Sequence, residues 1–162
     1  MKRIAITTLM AVAIATGMIV VENMQEKAEA HCQVPCGIYD DEGRIKAMME
    51  DVATISKAVG AINEFGADAP SAVEVNQVIR WVNTKEEHAS NIIETVSLYF
   101  LTQKVKDVPA SDPGYNAYLK KLGDHHAVLR AAMKTKQTVD NANVAKLKTA
   151  VEALAKHYHS HK

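Results

Sequence analysis

The sequence predicts an all-α protein: an antiparallel up-and-down four-helix bundle preceded by a short irregular N-terminal hook. Three observations predict this class. From residue 41 onward, apolar side chains recur at steps of three and four. Glycine and proline are scarce, at 7 and 4 of 162 residues, whereas alanine is abundant. Turn residues divide the pattern into four stretches, and short loops place successive helices antiparallel. We expect residues 40–162 to form this bundle as one domain.

The first helix is predicted by one apolar stripe that runs from Ile45 to Phe65. Two residues favour its end shortly afterwards. Gly66 suits a left-handed C-cap, and Pro70 cannot continue a helix. The methionines at 48 and 49 both fall on the stripe, so we interpret them as core residues and not as metal ligands.

The second helix is predicted to begin after Ser71, whose side chain can cap it. Its apolar stripe continues to Phe100, and we interpret Tyr99 within it as a packing residue. A polar stretch, residues 83–90, interrupts the stripe and has two interpretations. It is either a break capped by Thr84 or an exposed stretch of one long helix.

The third and fourth helices follow a loop at residues 109–114, which has strong turn chemistry. For the histidine pair on the third helix we expect a partly buried or surface position, and for the alternating histidines at the C-terminus a solvated tail. The apolar residues that define these helices are Tyr118, Leu119, Leu122, Leu129, Ala132 and Met133 in the third, and Val144, Leu147, Val151, Leu154 and Tyr158 in the fourth.

The charge of the chain excludes some partners. Lys and Arg number 19 and Asp and Glu number 19, so the formal net charge is zero. Binding to nucleic acid or to an anionic membrane surface needs clustered basic residues, and the sequence has no basic run. With 48% apolar and 23% charged residues, the chain has enough apolar side chains for a packed core.

The first thirty residues have the pattern of an export signal. Lys2 and Arg3 precede the uncharged apolar stretch 4–21, and Ala28-Glu29-Ala30 is a small-x-small triplet of the type that signal peptidase accepts. We expect residues 1–30 to be removed, the protein to be periplasmic or secreted, and no membrane association after cleavage. An uncleaved anchor is the alternative, because eighteen apolar residues just suffice to span a bilayer. Cleavage after Ala30 makes His31 the new N-terminus.

Residues 31–39, called the hook here, read His-Cys-Gln-Val-Pro-Cys-Gly-Ile-Tyr and concentrate the chemistry of the chain. One ion can reach the freed amine and imidazole of His31, the amide nitrogen and thiolate of Cys32, and the thiolate of Cys36. Two nitrogens and two sulfurs suit a square-planar d8 ion. A tetrahedral zinc site more usually recruits a second, distant ligand pair. A disulfide between the two cysteines is the competing interpretation in an exported chain, and spacing alone leaves both open.

The hook resembles the nickel hook at the mature N-terminus of the nickel-dependent superoxide dismutases, a family whose fold is also a four-helix bundle. The resemblance implies one nickel ion per subunit, held by His31, Cys32 and Cys36, with the His31 imidazole as axial ligand in the Ni(III) state. It implies Ni(II)/Ni(III) cycling that disproportionates superoxide to oxygen and hydrogen peroxide. Tyr39 would stand beside the open axial face, so His31 and Tyr39 are the catalytic candidates. The resemblance also implies a homohexamer.

The chain departs from the family at the residues that support the axial imidazole. Alignment by the Arg44-Ile45 pair places Lys46 where a glutamate is expected, and alignment by Lys85-Glu86 places His88 where an arginine is expected. In a different register, Glu50 or Glu87 could substitute. Two other functions remain open from the sequence: a non-catalytic periplasmic helical module that binds nickel or copper, and a membrane-anchored bundle with a disulfide in the hook.

Overall fold

The computed structural model describes residues 40–66 and 70–158. This part of the chain is all-helical and contains no strand, which confirms the predicted fold class. The predicted leader and the hook lie outside the described residues. The elements are α1 (Asp41–Phe65), α2 (Ala72–Glu94), a π-helical segment that continues α2 (Thr95–Lys104), α3 (Tyr115–Gln137) and α4 (Asn141–Ala155).

Each helix packs against the next one in the chain, and α4 packs back against α1. The polar contacts show that neighbours run in opposite directions. Asp41 at the start of α1 contacts Tyr99 near the end of the second helical stretch, whereas Asp51, further along α1, contacts His88, an earlier residue. The result is the up-and-down bundle that short loops predict.

Helix α1 ends where the sequence predicts, but the conformation of Gly66 differs from the prediction. Its φ of −87° is right-handed, and its N–H continues the helical ladder to the carbonyl of Ile62 at 2.9 Å. No left-handed residue is needed at this point because the ladder extends one residue further. A Cβ at this position would lie 2.7 Å from the Ile62 oxygen, so the close approach to backbone favours glycine.

Helix α2 begins with a reciprocal capping box. The Ser71 hydroxyl accepts from the Glu74 N–H at 3.3 Å, and the Glu74 carboxylate accepts from the Ser71 N–H at 2.7 Å. The helix then runs through the polar stretch 83–90 without a break. Thr84 is not a cap, because its hydroxyl donates to the carbonyl of Arg80 one turn earlier. Of the two interpretations of this stretch, one long helix is correct.

The second helical stretch widens into a π-helix before it ends. At the end of this segment, the Val105 N–H bonds to the Phe100 carbonyl at 3.0 Å, an i to i+5 bond. The Thr102 hydroxyl donates to the Ser97 carbonyl at 2.7 Å with the same spacing. Such segments often occur at functional sites, because the wider turn changes which side chains share a face.

The third helix packs with only part of the predicted apolar face: Ala132 is buried and Leu129 packs against the core. Leu119 and Met133, which the apolar pattern assigned to the core, are exposed. His125 and Thr135 are fully buried instead, with all their side-chain polar atoms hydrogen-bonded. A prediction based on apolar residues alone misses core positions that are filled by hydrogen-bonded polar side chains.

The core joins all four helices. Both interpretations of Met48 and Tyr99 as packing residues are confirmed, since both are buried. None of the described helices is long and apolar enough to cross a membrane. The core cluster includes Ile45, Met48, Val52, Ile55, Val59, Ile92, Val96, Tyr99, Phe100, Val128, Ala132, Leu147, Val151, Leu154 and Tyr158.

Candidate metal centre

The predicted metal ligands His31, Cys32 and Cys36, and the predicted catalytic Tyr39, lie outside the described residues. The described chain begins at Asp40, which directly precedes α1. Consecutive Cα atoms are about 3.8 Å apart. The end of the bundle that carries the start of α1 is therefore the part of the described structure that adjoins the hook.

A polar cluster occupies this end of the bundle. The Tyr99 hydroxyl donates to Oδ1 of Asp41 at 2.5 Å, and the Lys104 ammonium lies 3.1 Å from Oδ2 of the same carboxylate. We call Asp41, Tyr99 and Lys104 the Asp41 cluster. The Arg44 guanidinium also lies 5.4 Å from the centroid of the Tyr99 ring. The first residue of α1 is thus held by two groups from the π-helical segment.

The local fold explains why these side chains meet. Asp41 lies in the first turn of α1, where the helix dipole favours a carboxylate. Tyr99 and Lys104 are five residues apart, the hydrogen-bond spacing of the π-helical segment, and both reach the same carboxylate. Sequence reasoning identified Tyr99 only as a packing residue and did not single out Asp41 or Lys104. No sequence signal for this cluster exists, because the π-helical widening is not readable from residue types.

A buried hydrogen-bonded pair lies behind the Asp41 cluster. The His125 ring bonds through Nδ1 to the Lys121 carbonyl at 2.7 Å and through Nε2 to the Tyr158 hydroxyl at 2.8 Å. Because a carbonyl only accepts, Nδ1 carries the proton, and Nε2 accepts from Tyr158. Burial lowers the pKa of His125. Burial and the negative charge of Asp41 raise the pKa of Tyr158 above its usual range. The imidazole therefore stays neutral and the phenol stays protonated near neutral pH.

Lys46 and His88, which were predicted to support the axial imidazole, pair with other residues of this chain. Lys46 is exposed and its ammonium lies 3.0 Å from the Glu42 carboxylate on the same helix. His88 bonds through Nδ1 to Asp51 at 2.6 Å. Asp51 follows Asp41 by ten residues, which is about 15 Å along a helix. The His88–Asp51 pair is therefore remote from the end of the bundle that adjoins the hook, and Lys46 pairs separately with Glu42.

Glu50 and Glu87, the alternative supports, are both exposed. The described residues offer no second metal centre. No group of three or more His, Cys, Asp or Glu side chains in residues 40–66 and 70–158 could hold an ion. His126 is exposed, and His157 bonds to Asp124 at 2.6 Å. The nitrogen and sulfur donors that sequence analysis identified remain those of residues 31–39.

Fold and sequence together define the class of the protein: a small helical bundle with a nitrogen-and-sulfur donor set placed directly ahead of its first helix. The model of the family described as nickel-containing superoxide dismutase matches residues 26–162, which include both the hook and the bundle. The chain belongs to this family. Neither a curated protein nor a solved structure gives a significant match.

Membership of this family makes the protein a superoxide dismutase, an oxidoreductase with nickel as its cofactor and superoxide as its substrate. It confirms the family and the function predicted from residues 31–39. Nothing in the described residues or in the family match favours the non-catalytic metal-binding module. The individual ligands, export and subunit number remain predictions.

Proposed function

We propose that His31, Cys32 and Cys36 hold one nickel ion per subunit at the mature N-terminus, and that superoxide dismutation takes place there. The observation that carries this proposal is the His-Cys-x-x-Pro-Cys-Gly-x-Tyr sequence of residues 31–39 within the matched range. The donor types support it: thiolates are soft ligands, and amine and amide nitrogens complete a square-planar set. A free amine on His31 is part of this set, so the proposal requires cleavage after Ala30.

Dismutation converts two superoxide anions and two protons into one oxygen and one hydrogen peroxide. Bound nickel supplies the redox couple that takes an electron from one superoxide and returns it to a second. The side chains must hold the anion close and provide protons. Tyr39 ends the hook, and we assign it to the approach to the nickel site, where its phenol would restrict what reaches the metal and would orient the proton donor.

The Asp41 cluster holds the chain at the point where the hook meets the bundle. Tyr99 and Lys104 both fix the Asp41 carboxylate. Asp41 follows Tyr39 by two residues, so the cluster holds the chain directly after the end of the hook sequence. A fixed attachment point limits the positions that the hook can sample, and a metal site needs such positioning.

Export and processing complete the proposal. The apolar stretch 4–21 after two basic residues, followed by Ala28-Glu29-Ala30, supports secretion to the periplasm or outside the cell. Processing also has a chemical reason. If any residue preceded His31, an amide would replace the amine and donate to the metal more weakly.

Self-association is proposed as well, with the homohexamer of the family resemblance as the expected state. The first turns of α2 support it. Val73, Val75 and Ile79 project from these turns and are 70%, 42% and 55% exposed. Val75 and Ile79 belong to the apolar pattern of α2, but the bundle does not cover them. Val75 and Ile79 are four residues apart and lie on one face of α2, and exposed apolar neighbours of this kind are typical of protein interfaces.

The hook proposal is tested on protein produced with its leader in a host that exports it. Mass spectrometry of the mature chain should give a mass that begins at His31, and elemental analysis about one nickel per chain. Cys32→Ser and Cys36→Ser should each lose nickel and activity together. Tyr39→Phe should keep nickel but change the rate and its pH dependence, because it removes only a hydroxyl.

The outcomes separate the competing functions. Metal without superoxide-consuming activity would support the binding module, and an intact Met1 without metal would support the anchored bundle. Tyr115→Phe is the matched control for Tyr39, since it removes the same hydroxyl from a partly exposed tyrosine of the bundle itself. A Tyr39→Phe enzyme with unchanged rate and pH profile would remove Tyr39 from the proposal.

A further inference from the structure

A surface cavity of about 490 Å³ lies between the end of the π-helical segment, the loop that follows it, the start of α3 and the end of α4. Its described lining contains five basic side chains and no acidic one. We call it the basic cavity. The basic residues that line it are Lys104, Lys106, Lys120, Lys121 and His157.

Two carboxylates that do not line the cavity form ion pairs with three of its basic residues. Asp41 lies 3.1 Å from the Lys104 ammonium. Asp124 lies 2.6 Å from both Lys120 and His157. These ion pairs fix the positions of the basic groups around the cavity. They also explain how several like charges can be gathered at one end of a small bundle.

Burial and a neighbouring positive charge both act on Lys121. It is partly buried, and its ammonium lies 4.5 Å from the centroid of the Tyr158 ring. Burial lowers the pKa of Lys121, and the nearby positive charge of Lys104 lowers it further, although Asp41 acts in the opposite direction. An anion in the cavity would offset both the desolvation and the repulsion between these ammonium groups.

The start of α3 adds to the positive potential. Gly114, its N-cap residue, lines the cavity together with Ala117. Gly114 has no side chain to cap this 23-residue helix, and its own N–H donates to the Asp112 carboxylate at 2.6 Å. The positive end of its dipole therefore lies against the cavity, where backbone N–H groups can meet an anion.

We propose that the basic cavity binds a small oxyanion of the phosphate class, through residues other than the predicted nickel ligands. Converging ammonium groups and a helix N-terminus recognise tetrahedral oxyanions by charge and by several donors at once. The volume accepts inorganic phosphate or a small phosphate monoester. Binding also engages Lys104, which otherwise pairs with Asp41. The inference does not depend on which residues hold nickel.

The test is isothermal titration calorimetry on the nickel-loaded, full-length mature protein, with inorganic phosphate in one arm and glycerol 3-phosphate in the other. Sodium chloride at equal ionic strength provides the baseline. We expect saturable binding of at least one of the two. The comparison of arms distinguishes a free ion from the phosphoryl group of a larger molecule. Lys121→Met and Lys106→Met should each weaken binding by about tenfold or more, which corresponds to about 1.4 kcal/mol.

Two further variants distinguish binding at specific residues from nonspecific attraction to positive charge. Lys134→Met removes an exposed lysine at the far end of the same helix and should leave the affinity unchanged. Lys121→Arg keeps the charge and should keep most of the affinity. Lys106 is exposed, so its variant tests the site even if Lys121→Met fails to fold. Absence of saturable binding in both arms, or an equal loss in Lys134→Met, would overturn the proposal.

Discussion

His125 shows what a single residue can reveal that its sequence context does not. The sequence predicted a partly buried or surface histidine, whereas the structure buries it completely. Its partners are a carbonyl one turn earlier and Tyr158, 33 residues later in the chain. Residue type and spacing predict the helix around His125, but they do not identify a tertiary hydrogen bond. A buried and neutral imidazole has a consequence for stability.

We expect His125 to make the fold sensitive to mild acid. Burial lowers its pKa in the folded state below the ordinary value of 6.5. Between the two pKa values the unfolded chain binds more protons, so the free energy of unfolding rises with pH, by at most about 1.4 kcal/mol per pH unit. This stability is complete above the unfolded pKa and is lost as pH falls toward the folded one. Urea unfolding from about pH 7.5 to about pH 5.5 measures it.

His125→Gln should flatten this pH dependence, whatever it does to stability at neutral pH. His126→Gln is the matched control, because His126 is the exposed neighbour on the same helix and should leave the slope as it is. Metal binding in the hook adds its own pH dependence to all three proteins, so the comparison is between slopes. Parallel curves for wild type and His125→Gln would show that His125 does not couple folding to pH in this range.

At the scale of helices, the sequence predicts features that depend on neighbouring residues, but it does not predict features that depend on contacts between helices. Ser71 and Glu74, its partner in the capping box, lie three residues apart, so nearby residues are enough to predict the start of α2. The π-helical segment had no such signal. The same holds for Lys85, a charged residue in the polar stretch of α2 that is only 2% exposed. Its ammonium lies at the end of α3, which no local pattern indicates.

Lys85 caps the C-terminus of α3 from another helix. Its ammonium donates to the carbonyls of Thr135 at 2.8 Å and Lys136 at 2.7 Å, and to the Glu86 carboxylate at 2.9 Å. Lys85→Met removes the cost of desolvating a charge but leaves two carbonyls without this donor. Because unpaired buried acceptors cost about 1–3 kcal/mol, we expect a net loss of about 2 kcal/mol in the free energy of unfolding.

Equilibrium urea unfolding of Lys85→Met, with Lys134→Met as control, tests this expectation. Lys134 carries the same side chain on α3 itself but is exposed, so its variant should change stability by less than about 0.5 kcal/mol. The slope of the unfolding curve should stay the same in both variants. A Lys85→Met protein as stable as the control would mean that relief of the desolvation cost fully offsets the lost helix cap.

At the scale of the whole molecule, the sequence predicted the bundle and the family, because the helical period and the nine-residue hook are both local patterns. It did not predict how the site is supported. Lys46 and His88 were aligned to family positions, yet each pairs with a different carboxylate of its own chain. Such supports depend on which surfaces meet, either within one chain or between subunits. Whether the exposed side chains Val75 and Ile79 lie in a subunit interface also depends on which surfaces meet.

The exposed first turns of α2 allow the proposed self-association to be tested. Stable protein interfaces bury about 800 Å² per partner and concentrate apolar side chains at their centre. The exposed first turns of α2 carry such side chains, so a charge there would be buried unpaired in an oligomer. We expect Val75→Glu and Ile79→Glu to shift the protein to smaller species in sedimentation velocity, with helicity unchanged. Leu119→Glu places the same charge at a similarly exposed apolar residue of α3 and should keep the wild-type mass. If all three variants sediment like the wild type, the first turns of α2 do not form the interface.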